Sequence, residues 1–410
     1  MSFLSKHKLP IIACVAIFIF VLFFLFSPKL FSDHYFSAPQ GLTLNTNSQG
    51  QTFGSSTPVF VPAYVATPEP LKGIYMTSWV AGTPSLRNNL VKLIDDTELN
   101  SVVIDIKDYS GKIVFPISNP TLLAFGSQEI RVKDMQDFIS SLHQKNIYAI
   151  ARIAVFQDAY FVKARPDLAV KNKAGTAVWK DHKGISWIDP GSREYWDYII
   201  LISREARKIG FDEINFDYIR FPSDGNMQDI SYPFSSTTPK AEVMRQFFQY
   251  THDKLTQDDG TPSPRQPLGQ NENRLKISAD MFGMVTTAGD DMGIGQVLEN
   301  VLPYFDYVAP MVYPSHYPPT FQGFAMPEAH PYDVVHFAMQ SGVKRSELLA
   351  STTGQTVAQL RPWLQDFGLK MDYGPAEVRA QIKATNDVGL TSWILWSASN
   401  KYTASALQAE

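Results

Sequence analysis

The sequence predicts a (β/α)8 TIM barrel carried behind an N-terminal transmembrane helix and a disordered tether. Three observations predict it. Residues Leu9 to Phe26, "LPIIACVAIFIFVLFFLF", form an uncharged apolar run; residues 32–70 are rich in Ser, Thr, Asn, Gln, Gly and Pro; and strand-like and helix-like segments alternate between Leu71 and Gln408. With 44% apolar and 13% aromatic residues among 410, the chain has enough material for one large core.

The apolar run is long enough to cross a bilayer, because roughly 18 or more such residues match the hydrocarbon thickness whereas a secretory core is typically about 7–15. Lys6, His7 and Lys8 precede it, which favours a cytoplasmic N-terminus and an exported body, with Lys29 on the far side reducing that bias. Residues 1–31 are thus expected to be a signal-anchor, giving a single-pass cell-membrane protein with its main domain extracytoplasmic, or a secreted one if the segment is cleaved. Residues 32–70, which include "NTNSQGQTFGSSTP", read as a flexible linker, and residues 71–408 as the barrel. "QDDGTPSPRQPLGQNENR", residues 257–274, reads as a surface insertion.

Eight candidate strands follow in order: "KGIYMTSW" (72–79), "SVVIDIKD" (101–108), "IYAIARIAVF" (147–156), "FDEINFDYIRF" (211–221), "LKISADMF" (275–282), "DYVAPMVY" (306–313), a weak "ELLAST" (347–352) and "TSWILWSAS" (391–399). The clearest helix, "DPGSREYWDYIILISREARKIG", offers Asp189 as N-cap, Pro190 at the first helical position and Gly210 as terminator. A doubly wound open sheet is the rival arrangement. It is disfavoured because no Gly-rich phosphate loop follows an early strand, and "GDDMGIG" at 289–295 has the wrong glycine spacing for a dinucleotide fingerprint.

Several function classes are set aside by composition. A formal net charge of −4 with mixed signs gives no basic field for nucleic acid, and the single cysteine, Cys14, makes neither an internal disulfide nor a zinc cluster. The eight histidines form no H-x-H or H-E-x-x-H pair, and no G-x-S-x-G elbow is present. A loop-carboxylate calcium site at "GDD" (289–291) is the one metal alternative, and no cofactor is expected.

The chemistry concentrates in "GFDEINFDYIRFPSDG", residues 210–225. Strand alternation puts Ile214, Phe216 and Tyr218 on one face and Glu213, Asn215, Asp217 and Ile219 on the other. In a barrel the second face points inward and its late residues reach the C-terminal mouth, where active sites form. Asp217 is late; Glu213 belongs near the floor. Asp105 in "VVIDIKD" and Asp280 in "ISADMFG" are further late carboxylates, accompanied by Arg152, Tyr313, His316 and Trp396. Converging carboxylates ringed by Arg, Tyr, His and Trp suit a sugar: an oxocarbenium-like transition state needs a carboxylate and a protonated acid, and aromatic faces stack on the rings. Ion pairing inside the barrel is the competing explanation for the charges, with Lys107 or Arg152 as partner for Asp105, and core filling is the one for Trp396.

Seven ordered segments, "KGIYMTSW", "VVIDIKDYSGKI", "GFDEINFDYIRFPSDG", "ISADMFG", "APMVYPSHY", "RPWLQDF" and "WILWSASNKY", resemble the bacterial envelope family named putative glycoside hydrolase domain, over nearly the whole region after the tether. That family is similar to alpha-amylase-like barrels, in which a fourth-strand aspartate is commonly the nucleophile. The resemblance implies that role for Asp217. Those barrels supply a glutamate acid from the fifth strand where this chain has Asp280, so the acid is Asp280 or Glu328 of the loop "GFAMPEAHPYD". Asp105, Arg152, Asn215, Tyr313, His316 and Trp396 are expected to bind substrate. The expected function is hydrolysis of an envelope or extracellular polysaccharide; the alternative is a noncatalytic glycan-binding or scaffold protein on the same barrel.

Overall fold

The computed structural model describes residues 60–256 and 274–409. The expected membrane span, the tether up to residue 59 and most of the 257–274 insertion lie outside them. Among the described residues no helix is long and apolar enough to cross a membrane. Val61–Glu410 forms one compact unit.

The barrel strands are β1 (Lys72–Met76), β2 (Ser101–Lys107), β3 (Tyr148–Ala154), β4 (Glu213–Asp217), β5 (Lys276–Phe282), β6 (Tyr307–Met311), β7 (Gln359–Leu360), β8 (Trp363–Gln365) and β9 (Trp393–Trp396). All pairings are parallel, in the order β5-β4-β3-β2-β1-β9-β8-β6-β7, and β5 also pairs with β6. The sheet therefore closes, with β7 and β8 together forming one of eight staves. Between successive staves run α1 (Pro84–Asp95), α2 (Met135–His143), α3 (Arg193–Lys208), α4 (Lys240–Thr256), α5 (Leu298–Val301), α6 (Pro331–Thr353) and α7 (Pro375–Asp387). This is a TIM barrel.

Two expectations about elements are corrected. "ELLAST" is not a strand; it is the end of α6, terminated by Gly354 in the left-handed conformation. Glu, Leu and Ala are strong helix formers, and Leu348 is largely exposed, as a surface helix position allows and a barrel stave does not. The true seventh stave is broken at Arg361 and Pro362, whose ring nitrogen has no hydrogen to donate. Its ladder nevertheless continues, since Arg361 N donates to Val308 O (2.9 Å) and Pro362 O accepts from Ile394 N (3.0 Å). The second correction concerns α3, whose N-cap is Ser192 rather than Asp189. Asp189 instead accepts from Gly191 N (2.9 Å), Phe234 N (2.7 Å) and the Ser235 hydroxyl, pinning a neighbouring loop to the approach of α3.

Strand alternation creates two separate cores. Ile104, Ala151, Phe216, Ala279 and Leu395 face outward into the large layer beneath the helices, while Tyr75, Val103, Ile150, Ala309, Trp363 and Ile394 plug the interior. The floor is polar but paired: Glu213 and Arg361, both fully buried, form an ion pair, and Tyr148 donates to Glu213 (3.2 Å). Glu213 thus sits at the bottom, as its early position in β4 requires. Residues 61–70, read as linker, close this end. Val65 N donates to Asp212 (2.8 Å), Tyr64 OH to Arg207 O (3.1 Å) and Thr67 to Tyr148 OH (3.1 Å), so the ordered unit begins ahead of the boundary expected at Leu71.

Candidate active site

At the opposite end, the C-terminal ends of the strands surround a cleft of about 370 Å³. Of the residues singled out by sequence, Arg152, Asp217, Asp280, Tyr313, His316 and Trp396 line it. They come from β3, β4, β5, the β6 loop and β9, which only barrel closure brings together.

Register explains which residues reach the surface. Asp105, Arg152, Asn215 and Ser278 are successive cross-strand partners in one layer, whereas Asp217 and Asp280 stand two residues further toward the mouth on β4 and β5. Arg152 is long enough to rise from the lower layer. Asp105 and Asn215 are not, and both lie beneath the cleft rather than in its wall.

Arg152 is the hub. It donates through Nη1 to Asp105 (2.5 Å) and through Nη2 to Asp217, and its Nε stands 3.8 Å from Asp280 Oδ2. Trp396 covers the guanidinium at 5.1 Å and stacks on Tyr75 at 4.0 Å, and Tyr75 OH donates to Asp105. One cation is therefore shared among the buried acids, which offsets part of the several kcal/mol that an unpaired buried charge would cost. Lys107 does not serve Asp105: it is fully buried with Asp158 at 2.9 Å.

The two cleft carboxylates differ in environment. Asp217 accepts from Arg152 and, through Oδ1, from its neighbour's backbone, Tyr218 N (2.6 Å). Asp280 is 1% exposed and its Oδ1 accepts from Asn215 Nδ2 (2.9 Å) and Trp363 Nε1 (2.7 Å). Burial first, and the charge of Asp217 second, push its carboxyl up to about 8, against the opposing pull of Arg152. An acid held protonated beside a second carboxyl is the pairing on which acid-assisted displacement depends.

The turn out of β4 departs from simple alternation. Tyr218 adopts φ 52°, a left-handed backbone unusual outside glycine. The strand pattern breaks there: Tyr218 lines the cleft while still packing against the outer core, and Ile219, expected to point inward, joins that core. Strained backbone clusters at functional sites, and here it aims an N–H at Asp217. Arg220, two residues on, also lines the cleft.

Glu328 is elsewhere. It is buried outside the cleft and accepts from Leu369 N (2.7 Å), Lys370 N (2.9 Å) and Gln365 Nε2 (3.3 Å), so it organises the loop after β8. Sequence reasoning missed Tyr75 and Trp363 as partners of the acids, and Tyr218, Arg220 and Phe282 as cleft walls. Inward parity in "KGIYMTSW" is a signal for Tyr75; for Trp363 the one signal is its place in "RPWLQDF", a segment not read as a strand. Among the described residues no group of three or more His, Cys, Asp or Glu is arranged to hold a metal. Asp290 and Asp291 accept from Met292 N and Gly293 N within their own turn.

The family whose pattern matches this chain, over residues 73–402, is described as "Putative glycosyl hydrolase domain". No curated protein matches it. Among solved structures, a hypothetical protein from Ruminiclostridium thermocellum is 29% identical with a TM-score of 0.43, over 54% of this chain and 98% of that one. The PgaB (BpsB) glycoside hydrolase domain from Bordetella bronchiseptica is 12% identical with a TM-score of 0.55, over 83% of this chain and 99% of that one, a likeness of fold.

Proposed function

Because the chain belongs to the putative glycosyl hydrolase domain family, we propose that it hydrolyses glycosidic bonds of an envelope or extracellular polysaccharide, with Asp280 as acid and Asp217 as the carboxylate partner. The observation that carries this reading is the divergence of two carboxyls in one cleft: Asp280 kept protonated by burial and by Asp217, and Asp217 bonded to Arg152.

Asp280 donates its proton to the departing glycosidic oxygen. Asp217, held by Arg152 and Tyr218 N, attacks or stabilises the anomeric carbon as positive charge develops there. Trp396 offers a face for a sugar ring, and Tyr313 and His316 offer polar atoms to its hydroxyls. Burial lowers the pKa of His316, which favours its neutral ring. Asp105, Tyr75 and Asn215 position the reacting groups from below, and Trp363 does so from the cleft lining. The apolar run Leu9–Phe26 supports action at the outer side of the membrane to which it would anchor the barrel.

The test incubates the purified full-length chain with a panel of envelope polysaccharides and measures new reducing ends. Asp217→Asn is expected to fold and to release none. An active Asp217→Asn removes the assignment, and wild-type binding without release across the panel favours the noncatalytic scaffold.

A further inference from the structure

Arg220 is a charged cleft residue that this mechanism leaves without a task. It is only 8% exposed, yet among the described residues no carboxylate lies within ion-pair range of it. Only Nη1 is used, donating to Phe221 O (3.0 Å) and Ser223 Oγ (3.1 Å). Nε and Nη2, the side-on edge of the guanidinium, donate to no group among the described residues and are not sealed off from solvent. The rings of Trp187, Phe282 and Tyr218 hold the plane at 4.9, 4.8 and 5.5 Å.

Arg152 provides the contrast. It spends its charge on three aspartates, and Asp217 gains its counter-ion there. Arg220 is thus not required to neutralise Asp217. A guanidinium fixed between aromatic faces, with two parallel N–H groups open to a cleft, is a preorganised fork for a planar anion. Burial also lowers its pKa, against the opposing pull of Tyr218, Asp217, Asp224 and Asp181.

We propose that Arg220 binds the carboxylate of an acidic sugar, so that the substrate class is a polysaccharide containing uronic or otherwise carboxylated residues. This rests on the hydrolase reading for the cleft but is tested by binding alone. A carboxylate is favoured over phosphate because the edge belongs to one guanidinium between aromatic walls, and its single positive charge matches a monoanion rather than a phosphate ester close to a dianion. Tyr218 and Phe282 flank it as the apolar walls of that subsite.

The experiment measures affinities by ligand-detected NMR on the full-length chain with D-glucuronate, its methyl ester, D-glucose and glucose 6-phosphate. Glucuronate is expected to bind at least about tenfold more tightly than glucose or the methyl ester, since a desolvated charge-assisted fork is worth at least that factor. Arg220→Gln is expected to erase the preference, and Arg220→Lys to restore only part of it, because an ammonium lacks the fork. The methyl ester keeps the test decisive on the wild-type protein should the variants misfold. Equal binding of glucuronate and its ester, or a preference that survives Arg220→Gln, overturns the proposal; tighter binding of glucose 6-phosphate overturns the carboxylate assignment. Cleavage of neutral glycans without acid preference removes the Arg220 assignment and leaves the hydrolase reading, whereas acid-selective binding without any cleavage does the reverse.

Discussion

Asn215 Nδ2 donates to Asp280 Oδ1 across 2.9 Å, tying the inward row of the fourth strand to the acid of the fifth. Trp363 Nε1 approaches the same oxygen at 2.7 Å. Both donors fall on one oxygen, which fixes the carboxyl's orientation and leaves Oδ2, 3.8 Å from Arg152 Nε, as the freer atom. Asp280 is therefore held by neighbours that the β4–β5 register and the seventh stave supply.

The first prediction follows from its protonation. An acid catalyst works only while it holds its proton, and Asp280 is pushed up to about 8. Hydrolysis is expected to fall as pH rises through about 8, and Asp280→Asn to lower kcat by roughly 10²–10⁴-fold and remove that alkaline limb. The pH–rate profile of wild type and variant checks this.

Stability carries the second prediction, and its sign is set by the direction of the shift. The folded pKa lies above the unfolded carboxylate value, so the folded state binds more protons between about 4 and about 8, and stability falls as pH rises across that window. The neutral isostere in Asp280→Asn escapes this loss. Its Tm is expected to exceed that of wild type by a few degrees, ~2–4 °C, at pH 9 and to match it near pH 4, in scanning calorimetry at the two pH values.

The floor of the barrel gives a third. Glu213 and Arg361 are both fully buried and paired. Arg361→Met strands a buried carboxylate and is expected to cost about 3–5 kcal/mol, while adding Glu213→Leu recovers most of that loss. Urea unfolding of both singles and the double variant measures the cycle. No recovery in the double variant refutes it.

Glu328 separates loop architecture from acid catalysis. Its carboxylate accepts from Leu369 N and Lys370 N, and Gln, with one acceptor oxygen, satisfies only part of that pair. Glu328→Gln is expected to lose about 1–3 kcal/mol of stability through a buried donor left unmet. Its kcat is expected to stay within about twofold of wild type. A collapse of kcat with an unchanged Tm would return the acid role to Glu328.

Much of this was legible from the chain alone. Period-two alternation in "SVVIDIKD", "IYAIARIAVF" and "LKISADMF" located strands and separated inward from outward residues, because a pleated strand buries its two faces in different cores. The same parity turned Glu213 and Asp217 inward, and their positions at the start and end of the strand placed one at the floor and the other at the mouth. It failed where local chemistry changed the rule. Pro362 interrupts the seventh stave, good helix formers filled "ELLAST", and the left-handed turn at Tyr218 reversed the facing of the residues after Asp217.

What the sequence by itself determined is the kind of barrel and the acids it carries, since both follow from short-range periodicity along each strand. What only the tertiary structure decided is how those acids are shared out. Arg152 bonds Asp105 and Asp217 and approaches Asp280, Lys107 turns instead to Asp158, and Arg220 keeps an open edge beside them. Pairing between strands distant in sequence is set by cross-strand register and by side-chain reach, and the energy of a buried charge depends on which partner closure brings within a few ångströms of it.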